Sequence, residues 1–174
     1  MTSRGWLATA VVLVGGTMWL WLPSPHVHQG GPLQEVTAGY GRFHVAPGRA
    51  RVEWVMLVNS GHEPVTLSSA RLGVPLHGGA RVLGTAARHG RKVFVGVRWP
   101  PPISALRDPV DGFVVKPGTS VSIAFGLSVP FPTRLVLQGV QVRYRSGGTD
   151  YRRDTGATLT LCVTRRSRCP AQTG

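Results

Sequence analysis

Short stretches in which apolar and polar residues alternate recur along most of this chain. Between Arg51 and Val58 every second residue is apolar, and these side chains would share one face: Val52, Trp54, Met56 and Val58. The most regular stretch runs from Val121 to Val129, where branched and aromatic residues alternate with serine and small residues. Successive side chains of a strand point to opposite faces, so this spacing predicts half-buried β-strands.

Glycine and proline separate these stretches. Leu135–Arg145 and Tyr151–Val163 flank the segment Ser-Gly-Gly-Thr-Asp at 146–150, which is typical of a β-hairpin. Further strands are predicted at 65–72, 92–99 and 113–115, and weaker alternation marks two more at 40–45 and 80–84. With about seven to nine strands and no long helical periodicity after residue 22, the chain is predicted to be all-β, an antiparallel two-sheet sandwich.

The N-terminal segment has a different pattern. Trp6–Leu22 is a run of 17 residues without a charged side chain, and Pro23 follows it. As a helix it would be about 25 Å long, at the short end of what crosses a hydrocarbon core of roughly 30 Å. Arg4 precedes the run, whereas 23–41 contain no lysine or arginine. The positive-inside rule therefore predicts a cytoplasmic N-terminus and an exported remainder.

A cleaved signal peptide is the alternative for this segment. No pair of small residues with cleavage-site spacing follows Leu22 at a suitable distance, which favours an uncleaved transmembrane signal-anchor in the cell membrane. The predicted organisation is then a cytoplasmic segment, a transmembrane helix, a flexible stalk, the sandwich, and a tail with a disulfide loop: 1–5, 6–22, 23–34, 35–163 and 164–174.

Two local motifs carry a resemblance. The stretch 55–67 reads VMLVNSGHEPVTL, a strand, an Asn-x-Gly turn and a second strand, and 115–121 reads VKPGTSV, with a Pro-Gly turn before a core strand. Both resemble bacterial extracytoplasmic immunoglobulin-like and fibronectin-like modules, over roughly residues 35–163. The resemblance implies an immunoglobulin-like sandwich with an extracytoplasmic location.

The two cysteines, Cys162 and Cys169, are seven positions apart. In an oxidising compartment this spacing predicts one disulfide that joins the last strand to the chain end. The loop-entropy relation assigns such a bridge about 2–2.5 kcal/mol. A zinc site is the alternative, but it lacks a second pair of ligands.

The charge is strongly basic. The chain contains 20 Lys plus Arg and 7 Asp plus Glu, a formal net charge of +13. Arginines concentrate in the C-terminal hairpin and between the cysteines: Arg143, Arg145, Arg152, Arg153, Arg165, Arg166 and Arg168. Guanidinium groups in such a row bind carboxylates or phosphates bidentately, so they form a candidate binding patch. The alternative is that these charges keep a sheet edge from aggregating.

No catalytic or nucleotide-binding motif is present, and the carboxylates are few, so we expect no enzyme activity and no cofactor. His26 and His28, in the predicted stalk, are candidate ligands for copper or zinc. We expect no nucleic-acid partner, because the domain is predicted to be exported and stacking aromatic residues are sparse near the arginines.

The sequence thus predicts a non-catalytic binding or assembly module, held by its N-terminal helix and contacting another envelope or surface protein. Two alternatives remain open: a basic module that binds a wall polymer or lipid headgroups, and an extracytoplasmic protein that handles copper or zinc.

Overall fold

The computed structural model describes residues 26–37, 40–90, 94–96, 99–100, 108–164 and 169. Over these residues the chain forms fourteen strands and no helix, which confirms the prediction of an all-β fold. No helix in this part of the chain is long and apolar enough to cross a membrane. The predicted anchor at 6–22 lies outside the described residues.

The strands in chain order are β1 (His28–Gln29), β2 (Leu33–Thr37), β3 (Tyr40–Val45), β4 (Gly48–Asn59), β5 (Val65–Leu72), β6 (Arg81–His89), β7 (Phe94–Gly96), β8 (Asp108–Pro109), β9 (Val114–Val115), β10 (Ser120–Val129), β11 (Thr133–Gln138), β12 (Val140–Ser146), β13 (Thr149–Asp154) and β14 (Thr158–Val163).

These strands form three hydrogen-bonded sheets. A six-stranded sheet has the order β2-β4-β10-β6-β8, and β7 also pairs with β4. A five-stranded sheet has the order β1-β13-β12-β5-β9, and a three-stranded sheet the order β11-β14-β3. Buried side chains from all three sheets belong to one hydrophobic core, so the chain forms a β-sandwich.

The five-stranded and three-stranded sheets share one long bent hairpin, whose arms are β11–β12 and β13–β14. β11 continues into β12 through Gly139, and β13 continues into β14 through residues 155–157. The Gly139 amide donates to the Ala157 carbonyl at 2.8 Å, and the Thr155 amide donates to Val140 at 2.9 Å, so the two arms stay paired across the bend. The predicted two sheets therefore correspond to the two layers of the sandwich. The bend divides one of these layers into the five-stranded and the three-stranded sheet.

The sequence predicted an antiparallel sandwich, but two of the strand pairs are parallel. β1 pairs with β13 in parallel, and β3 pairs with β14 in parallel. The second pair arises because the chain leaves the six-stranded sheet after β2 and joins the opposite layer as β3. The strand number also exceeds the predicted seven to nine, since several strands are two-residue pairings.

A β-bulge in β4 overturns part of the predicted core face. Ile123 pairs with Val55 but Ala124 pairs with Glu53, so Trp54 is the extra residue. After the bulge the core-facing residues are Val55 and Leu57, rather than the predicted Met56 and Val58. Trp54 itself is buried against Phe125, with ring centroids 5.3 Å apart.

Part of the segment predicted as a flexible stalk packs against the domain. His28–Gln29 forms β1, and the side chain of Leu33 is fully buried. The Pro32 carbonyl accepts a hydrogen bond from the Ser60 amide at 2.9 Å. Residues 26–34 therefore lie along the sandwich, while 23–25 lie outside the described residues.

Candidate functional site

Three of the predicted arginines share one face of the five-stranded sheet. Along β12, Arg143 and Arg145 alternate with the buried residues Val142 and Tyr144, so both guanidinium groups point away from the core. Arg143 lies directly opposite Arg152 of β13. Residues opposite each other in a ladder project on the same side, which places Arg152 beside Arg143. We call this outer surface of β5, β12 and β13 the hairpin face.

Of the other four predicted arginines, only Arg153 is among the described residues, and it lies off this face. Arg153 lies opposite the buried Val142, so its side chain projects from the other side of β13. Its guanidinium group lies near Gly30, where a Cβ atom would be 4.0 Å from Arg153 Nη1. Three of the predicted arginines lie outside the described residues: Arg165, Arg166 and Arg168.

Two aspartates neutralise part of the hairpin face. Arg145 donates two hydrogen bonds to Asp150, at 2.9 and 3.1 Å. This side-chain hydrogen bonding raises the pKa of Arg145 and lowers the pKa of Asp150. Arg152 Nη2 lies 3.2 Å from the Asp154 carboxylate, which also accepts a hydrogen bond from Gln141 at 3.1 Å.

A positive charge remains at Arg143. Its Cα partners are Ser69 on β5 and Arg152 on β13, and Arg71 lies two residues further along β5, opposite Gln141. No ion pair joins Arg143 or Arg71 to a carboxylate within the described part of the chain. Like charges directly opposite each other destabilise a sheet, so the pairing of Arg143 with Arg152 leaves a position that an anionic group would stabilise.

The predicted disulfide between Cys162 and Cys169 is confirmed, with Cα atoms 5.0 Å apart. Cys162 is fully buried in β14, between Arg134 of β11 and His44 of β3. The bridge therefore belongs to the three-stranded sheet, across the Gly139 bend from the hairpin face.

A buried ionic cluster was not anticipated from the sequence. Glu53 has no solvent exposure and accepts hydrogen bonds from Arg51 at 2.9 Å and from Arg88 at 3.1 Å. These residues occupy the outer side of the six-stranded sheet, where Trp99 packs over Ala86 and Ala124. The spacing Arg51-x-Glu53, which puts both charges on one face of a strand, was the available signal. Removing one partner of such a cluster leaves a buried charge, so we assign it a structural role.

The candidate metal ligands His26 and His28 are both exposed. The His28 ring lies 5.9 Å from the ring of Tyr151. Among the residues that the structure describes, no group of three or more His, Cys, Asp or Glu side chains could hold a metal ion.

No protein-family model matches this chain, and no curated protein matches it. Three solved structures share limited similarity with it. The VesB protease of Vibrio cholerae has a TM-score of 0.41 at 11% identity, over 76% of this chain and 32% of that one. Human CEP192 PapD-like domain 7 has a TM-score of 0.38 at 11% identity, over 96% and 99%.

The secreted serine protease VesC of Vibrio cholerae has a TM-score of 0.32 at 14% identity, over 75% of this chain and 23% of that one. This chain thus spans about a third or less of the length of the two proteases. Since all three TM-scores are below 0.5, we base no conclusion about function on them.

Proposed function

We propose that this chain is an exported, membrane-anchored module of immunoglobulin-like fold that binds an acidic surface of another envelope protein and catalyses no reaction. The observation that carries the proposal is the cross-strand pairing of Arg143 with Arg152 on an exposed sheet face. Carboxylates of a partner that bind Arg143 would relieve this repulsion and add bidentate hydrogen bonds.

The composition of the hairpin face supports a polar contact. Four arginines lie on it with two aspartates: Arg71, Arg143, Arg145, Arg152, Asp150 and Asp154. The paired aspartates hold Arg145 and Arg152 in place, which reduces the side-chain entropy that binding would cost. Because the face has an excess of positive charge, it fits an acidic surface.

The test is crosslinking of the full-length tagged chain in its own membrane, followed by mass spectrometry of the proteins that co-purify. We expect one or two stoichiometric protein partners. Arg143→Glu should lower their recovery about tenfold or more, because it replaces an attraction by a repulsion. Arg143→Lys, which keeps the charge but not the bidentate geometry, should lower it less.

The matched control is Lys116→Glu, which makes the same change in net charge at the exposed turn after β9, two strands from β12 at the edge of the sheet. If Lys116→Glu and Arg143→Glu lower recovery equally, long-range charge rather than the hairpin face is responsible. If no protein co-purifies at any salt concentration, the chain is not a protein-binding module.

An anionic wall polymer is the second candidate partner. Side-chain hydroxyls lie opposite the arginines on this face, with Ser69 beside Arg143 and Thr66 beside Arg145. Hydroxyl and guanidinium groups together could bind a phosphate- or carboxylate-bearing polymer. Retention on isolated wall material, released by raised salt and without a protein partner, would favour this candidate.

A further inference from the structure

The two ends of the sandwich differ in chemistry. The first described residues lie at one end of the sandwich, where His28 pairs with Tyr151 near the β12–β13 turn. The opposite end contains the β3–β4 turn, the segment 73–80 and the loop 130–132. There Val129 pairs with Gly48, and the Thr164 amide donates to the Val45 carbonyl at 2.8 Å. We call this second end the distal end.

Exposed apolar side chains concentrate at the distal end. Six large apolar side chains are exposed in the described part of the chain, and four of them lie here: Val74 at 40%, Val82 at 43%, Phe131 at 66% and Val136 at 36%. Phe131 stands between Pro130 and Pro132, in the loop that crosses from β10 to β11. Because proline restricts the backbone, this ring is presented by a stiff loop.

Two of these side chains line an open groove of about 430 Å³. Its walls are the segment after β5 and the start of β6: Leu72, Val74, Leu76, Ala80, Arg81 and Val82. Across the segment 75–77, a smaller depression is lined by Arg134 and Val136 of β11. The distal end therefore combines an apolar groove, which has Arg81 in its wall, with a neighbouring depression that contains Arg134.

The charge of this end is entirely basic. The segments 40–51, 72–83, 127–138 and 157–164 contain no aspartate or glutamate. Arg49 and Arg81 lie on the two strands that flank Ser128 of β10, and both are Cα partners of that serine. An apolar groove with a cationic rim fits an apolar side chain that has carboxylates next to it.

We propose that the distal end binds an acidic amphipathic segment of a partner protein, which inserts an apolar side chain between Val74 and Val82 and places carboxylates against Arg81 and Arg134. The proposal rests on the proposed function, since it assigns a second contact surface to the same binding module. A second copy of this chain fits poorly, because its own distal end repeats the positive charge. The membrane that holds the N-terminus fits poorly as well, because residues 26–37 pack along the domain from the opposite end.

The test places the photoreactive residue p-benzoylphenylalanine at position 82 of the full-length protein in its own cells. The matched control carries it at Gln34, an exposed residue of the edge strand β2 in the six-stranded sheet, which pairs with Val58 at the end of β4 away from the distal end. We expect a protein adduct at position 82 that the control lacks. Mass spectrometry should locate that adduct in a segment that contains both carboxylates and apolar residues.

Reversing the charge of Arg81 tests the basic rim of the groove. Arg81→Glu should lower the adduct yield about tenfold or more, while Arg81→Lys should lower it less, as expected for a rim arginine that faces carboxylates. Circular dichroism and thermal unfolding of each purified variant show whether it is folded. Equal adducts at positions 82 and 34, an adduct with lipid or polymer, a crosslinked segment without carboxylates, or no effect of Arg81→Glu would each overturn the proposal.

The two proposals fail separately. If protein partners co-purify and depend on Arg143 but position 82 gives no specific adduct, the distal end is not a docking surface and the proposed function stands. If no protein co-purifies and no protein adduct forms, both proposals are wrong.

Discussion

Tyr144 joins the N-terminal segment to the hairpin. Its side chain is buried, its hydroxyl donates to the Gly30 carbonyl, and it accepts a hydrogen bond from the Leu33 amide at 3.3 Å. Its ring stacks on Tyr151 with centroids 5.4 Å apart. Burial raises the pKa of Tyr144 above its usual value of 10.0, although the Leu33 hydrogen bond and Arg153 act in the opposite direction.

The first prediction concerns this hydroxyl. Tyr144→Phe should lower the free energy of unfolding by about 1–3 kcal/mol, because it leaves the Gly30 carbonyl and the Leu33 amide without their partner. Tyr151→Phe, in the adjacent and less buried ring, is the control and should cost less. Denaturant titration at neutral pH measures both values. Equal costs would contradict a bridging role for Tyr144.

The raised pKa also predicts a pH dependence. Below the unfolded-state pKa of about 10, both states keep the phenol proton, so Tyr144 gives stability no dependence on pH. As pH rises towards the higher native pKa, the unfolded state loses the proton first, and stability falls. The decrease between about pH 9 and pH 11 should therefore be smaller in Tyr144→Phe than in the unsubstituted chain. An identical decrease would show that Tyr144 does not contribute.

At the scale of elements, the bend at Gly139 is where the long hairpin passes from the three-stranded sheet to the five-stranded sheet. Gly139 has φ of +65°, and a Cβ atom there would lie 2.9 Å from the Thr155 carbonyl oxygen. Gly79 has a similar φ of +71° but nothing within 4 Å of its Cβ position. Both glycines therefore adopt a positive φ that disfavours any other residue. Only at Gly139 would a side chain also clash with a neighbouring atom.

The third prediction uses this difference between Gly79 and Gly139. Gly79→Ala should cost about 1 kcal/mol, the usual penalty for a side chain in the left-handed region. Gly139→Ala should cost about 2 kcal/mol more, because the Thr155 backbone must also move and the bond from the Gly139 amide to Ala157 weakens. Thermal unfolding of both variants measures the difference. Similar melting temperatures would show that the bend tolerates a side chain.

For the whole molecule, the N-terminal run predicts membrane attachment. The full-length chain should remain in the membrane fraction after an alkaline carbonate wash, because 17 uncharged residues can form a spanning helix. A chain that begins at residue 26 should be released by the same wash. Release of the full-length product as a shorter species would instead indicate a cleaved signal peptide.

The charge of the molecule is unevenly distributed. All the described ion pairs involve Glu53 or the hairpin aspartates, Asp150 and Asp154, while the distal segments contain no carboxylate. Salt should therefore weaken the proposed contacts at the distal end and at Arg143 more than it weakens the fold, whose ionic cluster at Glu53 is buried.

The sequence by itself determined the local features of this protein. Alternation and turn residues located most of the longer strands, and the cysteine spacing predicted the disulfide. These signals succeed because side-chain alternation and turn geometry depend on residues a few positions apart. The same reasoning put Arg143 and Arg145 on one face, since they belong to a single strand.

Only the tertiary structure decided which surfaces those strands form. The bulge at Trp54 moved Met56 off the core face, and the β12–β13 register put Arg152 beside Arg143 but Arg153 on the other side. Tyr144 meets Leu33 across 111 positions of the chain, and the distal groove joins β6 to the segment after β5. Such contacts depend on pairing between distant segments, and the alternation within one strand carries no information about its partner's register.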